Sequence, residues 1–445
     1  MLEVKIELLE ALRQRAAPGP GAAFGVYPNA AAPGTGQNLS ARARAIPPGG
    51  EPGTASGAAT KALPVKHIKL TLTCLTAAAL LAACGGGDDK VQFQSVVSFG
   101  DSISDAGTYK VGTVTALGGG KFTVNGTNGK VWTEFLAESV GAPVQCAART
   151  GMLPNNGTTG APITDFAVCN NYAQGSSRVT FDGTGPNGVG LQAYGAVNLG
   201  FMADSLNNQF NRHLTKRGGS YAGNELVTVN SGGNDLFMQL NGVGYAAGGG
   251  AAAAGAATIA GWPQAVIDAV TAGGSTASDA ATRAAVVSMG QAGTELAGYV
   301  KTLVVGKGAQ YVVVRNLGDV NVTPYGLSLD SGTKGLIAAM TNAFNSQLKA
   351  GLNGTTGVLL FDDFARTADI VANPAKYGYT NITDRACGPN AFGSPNGASI
   401  VCNTTNLIAG DTSHYAFSDD VHPTPYAHQK SGDVVKQLLV SAGWQ

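Results

Sequence analysis

Ser95-Val96-Val97-Ser98-Phe99-Gly100-Asp101-Ser102-Ile103 runs from an apolar, β-branched stretch into a glycine and then a serine. Such a run reads as a buried strand that stops abruptly at the glycine. Gly100 lets the backbone turn, and Ser102 falls just past the strand's carboxyl end. In open α/β sheets that edge is where ligands bind. A serine hydroxyl is a poor nucleophile until a base takes its proton. A histidine and a carboxylate are therefore required elsewhere. Phe417-Ser418-Asp419-Asp420-Val421-His422-Pro423-Thr424, near the far end of the chain, supplies both.

Three more short β-rich runs follow the first strand: Leu226–Asn230, Tyr311–Arg315 and Val358–Phe361. Helical patterns lie between and after them, at roughly Ser278–Val305, Leu336–Leu352 and Tyr426–Ala442. Strands separated by helices predict a mostly parallel sheet covered on both faces. Residues 104–170 are rich in Gly, Asn and Thr and read as loops lying over the site. Residues 241–281 are Ala/Gly-rich and nearly uncharged. They read as an insertion of loosely packed small-residue helix and loop, a candidate lid, or as a plain connector, with Trp262-Pro263 as its one bulky point.

The chain has 445 residues, enough for a large core. Residues 1–64 are rich in Ala, Gly and Pro and lack apolar periodicity, a composition that cannot offset chain entropy. They read as a disordered or wrongly assigned N-terminal extension, with Val65 an alternative start. Residues 65–83 then carry a basic head and the apolar stretch Leu70 to Ala83, which is the pattern of a secretory signal peptide. That stretch is shorter than the roughly 20 apolar residues a membrane span needs. Residues 84–93 read as a Gly-rich tether and 94–445 as the folded body. Residues 1–84 hold 8 of the 28 Lys and Arg and 4 of the 28 Asp and Glu, which leaves the remainder near −4. The remainder holds no basic run, which argues against a nucleic-acid partner.

Four cysteines stay in the body: Cys146, Cys169, Cys387 and Cys402. An even number in an exported chain predicts two disulfides. Three pairings are possible, and nearest-neighbour pairing, Cys146–Cys169 with Cys387–Cys402, is preferred. Neither pair has the CxxC spacing of a zinc site, so no metal is expected.

Asp419 stands three residues before His422, so its carboxylate can accept the imidazole Nδ1–H and leave Nε2 to take a serine proton. Asp420 is the rival carboxylate, read as exposed or capping the following helix. Asp411 and His414 repeat the same spacing, and spacing alone does not separate the two pairs. His414 lies in a polar stretch and reads as a loop histidine. His213 and His428 have no carboxylate at that spacing and read as surface or helix residues. Attack on an ester creates an oxyanion that needs fixed donors. Gly232-Gly233-Asn234-Asp235 offers the Asn234 amide, and Asn171-Tyr172-Ala173-Gln174-Gly175-Ser176-Ser177 offers the Gly175 N–H. Read locally, either segment is equally a turn.

Together these segments resemble the sequence blocks of the GDSL, or SGNH, hydrolase family. Gly100-Asp101-Ser102-Ile103-Ser104-Asp105-Ala106-Gly107 resembles the first block, with Ile103 where Leu is usual. Gly175 falls at the glycine of the second, and Gly232-Gly233-Asn234-Asp235 matches the third. Asp419-Asp420-Val421-His422-Pro423-Thr424 matches the last and favours His422 over His414. The similarity spans residues 94 to about 440. It implies a three-layer α/β/α, flavodoxin-like sandwich and an ester- or lipid-cleaving serine hydrolase that needs no cofactor. Ser102, His422 and Asp419 would be its triad. Ser102 N–H, Gly175 N–H and Asn234 would form the oxyanion hole. Asp101, Asp105 and Asp235 would anchor loops. An acyltransferase using the same site, or a catalytically silent surface lipoprotein, are the alternatives. Asn316-Leu317-Gly318-Asp319 and the segment from Asn373 to Asn381 resemble the branch with bacterial extracellular lipases and phospholipases. Leu81-Ala82-Ala83-Cys84 resembles the lipobox of bacterial lipoproteins. That implies a lipid on Cys84, membrane attachment and an outer-membrane location, with secreted or periplasmic as the alternatives.

Overall fold

A computed structural model of the chain describes residues 90–153, 160–182, 193–194, 197–393 and 395–445. The expected extension 1–64, the signal segment 65–83 and Cys84 lie outside these residues, as does most of the expected tether. The packed body begins a few residues before 94. Val91 N–H donates to the Trp444 carbonyl at 3.1 Å, and Phe93 is buried.

Four parallel strands form the central sheet in chain order: β1 (Ser95–Phe99), β2 (Glu225–Asn230), β3 (Tyr311–Arg315) and β4 (Val358–Phe361). Val97, Val227, Val312 and Val358 stand side by side across it. On the free edge of β1 the segment Asn170–Tyr172 runs parallel to it: Ser98 N–H donates to Asn170 O and Tyr172 N–H to Ser98 O. Parallel pairing therefore continues on both sides of β1, which makes its carboxyl end a topological switch point. The flavodoxin-like expectation holds.

Alternation along the strands assigns the two faces. Val96, Leu226, Val313 and Phe361 pack against α1 (Trp132–Ser139) and α9 (Pro425–Ser441), the helix that follows α8 (Asp363–Ala372), through Trp132, Leu136, Val435 and Leu439. Val97, Phe99, Val227, Val229, Val312 and Val314 meet the opposite layer. That layer comprises α2 (Leu206–Lys216), α3 (Gly233–Ala246), α6 (Gly274–Tyr299) and α7 (Ser331–Leu352). Each such aliphatic side chain contributes about 1.5–3 kcal/mol by leaving water. Side-chain caps start the helices: Ser205 for α2, Asp330 for α7, and Thr424 with Pro425 at the first turn of α9.

Two expectations change. Residues 241–281 are helical as expected, but they are not loosely packed. They complete α3 and form α4 (Gly250–Ala260), α5 (Gln264–Ala272) and the start of α6. Ala253, Ala257 and Ala260 are buried, because small side chains let helices approach closely. Trp262 packs on Gly242 of α3, where a Cβ would overlap the indole, and its Nε1–H donates to Gln239 Oε1. Within 104–170, where only loop is expected, α1 and a short helix at Gly112–Ala116 form. The rest is loop as expected, with a hairpin of Arg149–Met152 and Ala161–Asp165. It does cover the site: Phe122 lies on the His422 ring, and Thr123 Oγ1 donates to Pro423 O at 3.0 Å. Both disulfides follow the preferred pairing, Cys146–Cys169 and Cys387–Cys402.

Candidate active site

β1 and β2 converge at their carboxyl ends. Gly100 has φ +152°, and a Cβ there would overlap the Asn230 carbonyl, so only glycine permits this approach. The turn beyond it is held from below. Asp101 Oδ1 accepts Ile103 N–H at 3.1 Å and Asn230 Nδ2–H at 2.8 Å, and Ser104 Oγ donates to Asn230 Oδ1. Trp132 Nε1–H donates to Ser104 Oγ at 2.9 Å. Gln209 of α2 pairs with both backbone atoms of Gly100, each at 2.8 Å.

Ser102 Oγ lies 2.9 Å from His422 Nε2, across 320 residues of chain. His422 Nδ1 lies 2.9 Å from both oxygens of Asp419. Asp419 is fixed further by the N–H groups of His422 (2.8 Å), Val421 (3.0 Å) and Ser399 (3.0 Å). All three side chains are largely buried. Burial alone would raise Asp419, but the His422 ring and these N–H donors outweigh it and hold the carboxyl well below its ordinary range. Burial likewise works to lower His422. The Asp419 charge and hydrogen bond, with Asp101 and Asp420 behind them, outweigh it and raise the imidazole above 6.5. Such a chain can carry a proton from Ser102 to Nε2 while Asp419 holds the tautomer.

The rival residues lie elsewhere. Asp420 ion-pairs with Arg385 and caps no helix; Thr424 does that. His414 stacks on Tyr426 and its Nδ1 lies 3.0 Å from Gly378 O. His213 and His428 are on helices but fully buried, not on the surface. His213 sits against Phe99, Tyr172 and Tyr221, and His428 Nδ1 accepts Trp132 N–H at 3.2 Å.

The donor side departs from expectation at one residue. Asn234, at the start of α3, donates one amide hydrogen to Ser177 O at 2.9 Å and keeps the other. Gly175 N–H, expected in the oxyanion hole, instead donates to Asp105 Oδ2 at 2.9 Å. It is already committed to a buried carboxylate. The next residue, Ser176, has φ +71°, the one non-glycine left-handed residue among those described. Among the described residues, neither its N–H nor that of Ser102 has a protein acceptor. Sequence reading missed Ser176 because a serine is not expected in a left-handed turn. It also missed Arg178 and Gln209. Arg178 pairs with Asp235 at 3.0 Å and donates to Ile259 O at 2.7 Å. Gln209 Nε2–H also reaches Ser177 Oγ at 2.9 Å. Their partners are distant in sequence, and no local pattern marks them. Asp101, Asp105 and Asp235 anchor loops as expected. Among the described residues no group of three or more His, Cys, Asp or Glu side chains is placed to hold a metal ion.

A parallel sheet wrapped on both faces, with serine, histidine and aspartate in line at its switch point, defines a protein of SGNH-hydrolase architecture. Residues 96–435 match the family described as GDSL-like Lipase/Acylhydrolase, and the chain belongs to it. Similar curated proteins include three from Arabidopsis thaliana. GDSL esterase/lipase At4g28780 is 28% identical over 145 residues, 30% of this chain and 38% of that protein. GDSL esterase/lipase 7 is 29% identical over 136 residues, 27% and 35% respectively. GDSL esterase/lipase APG is 28% identical over 88 residues, 20% and 23%. The chain thus spans well under half the length of these relatives. All three are plant proteins, so the likeness carries the family and not a bacterial lipoprotein type.

Proposed function

We propose that the protein is a serine hydrolase cleaving carboxylic esters, with a lipid or other acyl ester as substrate. The observation that carries this is the unbroken hydrogen-bond line Ser102–His422–Asp419 at the carboxyl end of β1. Ser102 Oγ attacks the ester carbonyl as His422 Nε2 takes its proton. Asp419 stabilises the imidazolium without accepting the proton. The oxyanion is received by Ser102 N–H, Ser176 N–H and the remaining amide hydrogen of Asn234. His422 then protonates the leaving alcohol, and water repeats the sequence on the acyl-enzyme. The test is Ser102→Ala, assayed on p-nitrophenyl esters of rising chain length and with a fluorophosphonate probe. A folded variant that neither turns over nor labels is expected. Activity within about tenfold of wild type would remove Ser102 as nucleophile.

Export and lipid attachment are proposed on the pattern of residues 65–84, an apolar run after Lys66 and Lys69 that ends at Leu81-Ala82-Ala83-Cys84. Residues 1–64 are then an extension outside the working protein. Two disulfides in the body fit an oxidising compartment. Among the described residues no helix is long and apolar enough to cross a membrane. Labelled palmitate should enter the protein in its host and should not enter Cys84→Ala. Equal labelling of the two would exclude Cys84.

A further inference from the structure

We propose that Asp105 is a positioning residue for the oxyanion site: its carboxylate holds the Gly175 N–H and thereby sets the turn that leaves the Ser176 N–H free for substrate. The inference rests on the reading of Ser102 as nucleophile.

Asp105 is fully buried. One oxygen, Oδ1, accepts Gly107 N–H at 2.9 Å and Thr108 N–H at 2.7 Å, closing the turn after the nucleophile. The other, Oδ2, leaves that turn and accepts Gly175 N–H at 2.9 Å. Tyr109 OH donates to Gly175 O at 2.7 Å, and Thr108 Oγ1 to Ala173 O at 3.1 Å. The turn 105–109 thus grips the N–H and the carbonyl of the same glycine. Gly175 also lies flush on the Phe122 ring, where a Cβ would overlap.

Ser176 follows this clamp directly. A non-glycine residue in the left-handed region is strained and persists only where its surroundings impose it. Its own hydroxyl does not impose it, because Oγ is buried without a hydrogen-bond partner. The constraint therefore comes from the backbone on either side: Gly175 held by Asp105 and Tyr109, and Ser177 O held by Asn234 at 2.9 Å. A displaced Gly175 would let Ser176 relax to negative φ and turn its N–H away.

The choice of aspartate over asparagine is informative. An asparagine would close the same turn through Oδ1, without the cost of a buried charge. It would present an N–H to Gly175 N–H, donor against donor. Only the carboxylate serves both the turn and the clamp. Burial pushes Asp105 up to about 6, against the pull of the Thr108, Gly107 and Gly175 N–H groups and the Thr108 hydroxyl. The Tyr109 phenol also faces it and is itself raised, by burial and then by the Asp105 charge. Protonation weakens Oδ2 as an acceptor for the Gly175 N–H, so acid moves wild type towards the asparagine variant.

The test compares wild type with Asp105→Asn by kcat and KM per folded molecule from about pH 5 to about pH 8. At the upper end the variant should lose about tenfold to a hundredfold in kcat, with KM within about threefold. The ratio of wild type to variant should shrink towards one as the pH falls below the Asp105 midpoint. A ratio that does not change with pH, or equal kcat at the upper end, would overturn the proposal. Tyr109→Phe covers the case where Asp105→Asn does not fold. It removes only the hydroxyl held on Gly175 O and should lower kcat at every pH, and an unchanged kcat would overturn the clamp. Ser102→Ala run alongside separates the two readings. If it is active, the nucleophile assignment fails; if it is inactive while both clamp variants match wild type, only the clamp fails.

Discussion

Arg178 and Asp235 form a buried ion pair, Nε to Oδ1 3.0 Å, with both side chains almost wholly out of water. Asp235 is the residue after Asn234, and Arg178 is two residues after Ser176. The pair therefore ties together the two segments proposed to carry the side-chain and loop donors. Asp235 Oδ2 also accepts Val179 N–H at 3.0 Å, and the guanidinium lies on the Phe181 ring while closing the end of α4.

Arg178→Ala should be strongly destabilising, because it leaves Asp235 buried without its partner. A loss of about 3–5 kcal/mol is expected, read from denaturant midpoints at equal slope. A loss below about 1 kcal/mol would mean that water reaches Asp235.

Asn234→Ala should act on rate rather than on binding. Its free amide hydrogen gains strength as the carbonyl oxygen gains charge. We expect kcat to fall on the order of 10²–10³ with KM changed only a few-fold. Folded protein is counted by chromatography and circular dichroism. A kcat within about threefold of wild type would make Asn234 only the residue that holds Ser177 O.

The histidine–aspartate pair sets a pH response with a definite sign. His422 is raised above 6.5, and only its neutral form can take the Ser102 proton. The acid limb of kcat/KM should therefore lie above pH 6.5, with the Asp105 titration near 6 adding a second fall beneath it. The stability that His422 contributes is complete below 6.5 and is lost as pH rises through its raised value. That of Asp419 is present above 3.8 and is lost as pH falls through its depressed value. In Asp419→Asn, burial is no longer opposed by a carboxylate at Nδ1. The limb should move to lower pH and kcat should drop by about 10⁴. A limb that stays in place would assign it to another group.

Cys387–Cys402 closes a loop whose Ser399 N–H reaches Asp419 Oδ2. Cys387→Ser with Cys402→Ser should lower stability by about 3 kcal/mol in the chain-entropy model. Thermal melts with and without reductant check this, and an unchanged melting temperature would contradict it.

Much of the architecture was legible because the strands announce themselves. Tyr311–Arg315 and Val358–Phe361 were bounded to the residue, since uninterrupted β-branched or leucine runs between turn residues leave little choice. Ser102, His422 and Asp419 were legible for a different reason: a narrow chemical task permits few residue types at fixed local spacing. Trp132–Ser139 was missed because eight residues between glycine-rich loops give little period to count. The commitment of Gly175 N–H was invisible too. It depends on a carboxylate 70 residues away, and hydrogen bonds at that separation leave no local pattern. The same holds for Gln209, an ordinary glutamine in an amphipathic helix until Gly100 arrives beside it.

The 320 residues between Ser102 and His422 also set an order of events during synthesis. Ser102 leaves the ribosome long before His422 and the helix α9 behind it are made. β1, β2, β3 and β4 can assemble in that order before then, so a nascent chain can hold most of its sheet and still lack the histidine proposed as the base for its serine. On the proposed triad, hydrolytic competence arrives only when α9 docks on the α1 face and Trp444 O meets Val91 N–H. By the same proposal a chain cut short anywhere before residue 422 is silent however well its sheet is formed, so turnover would report that the base has been made and has docked.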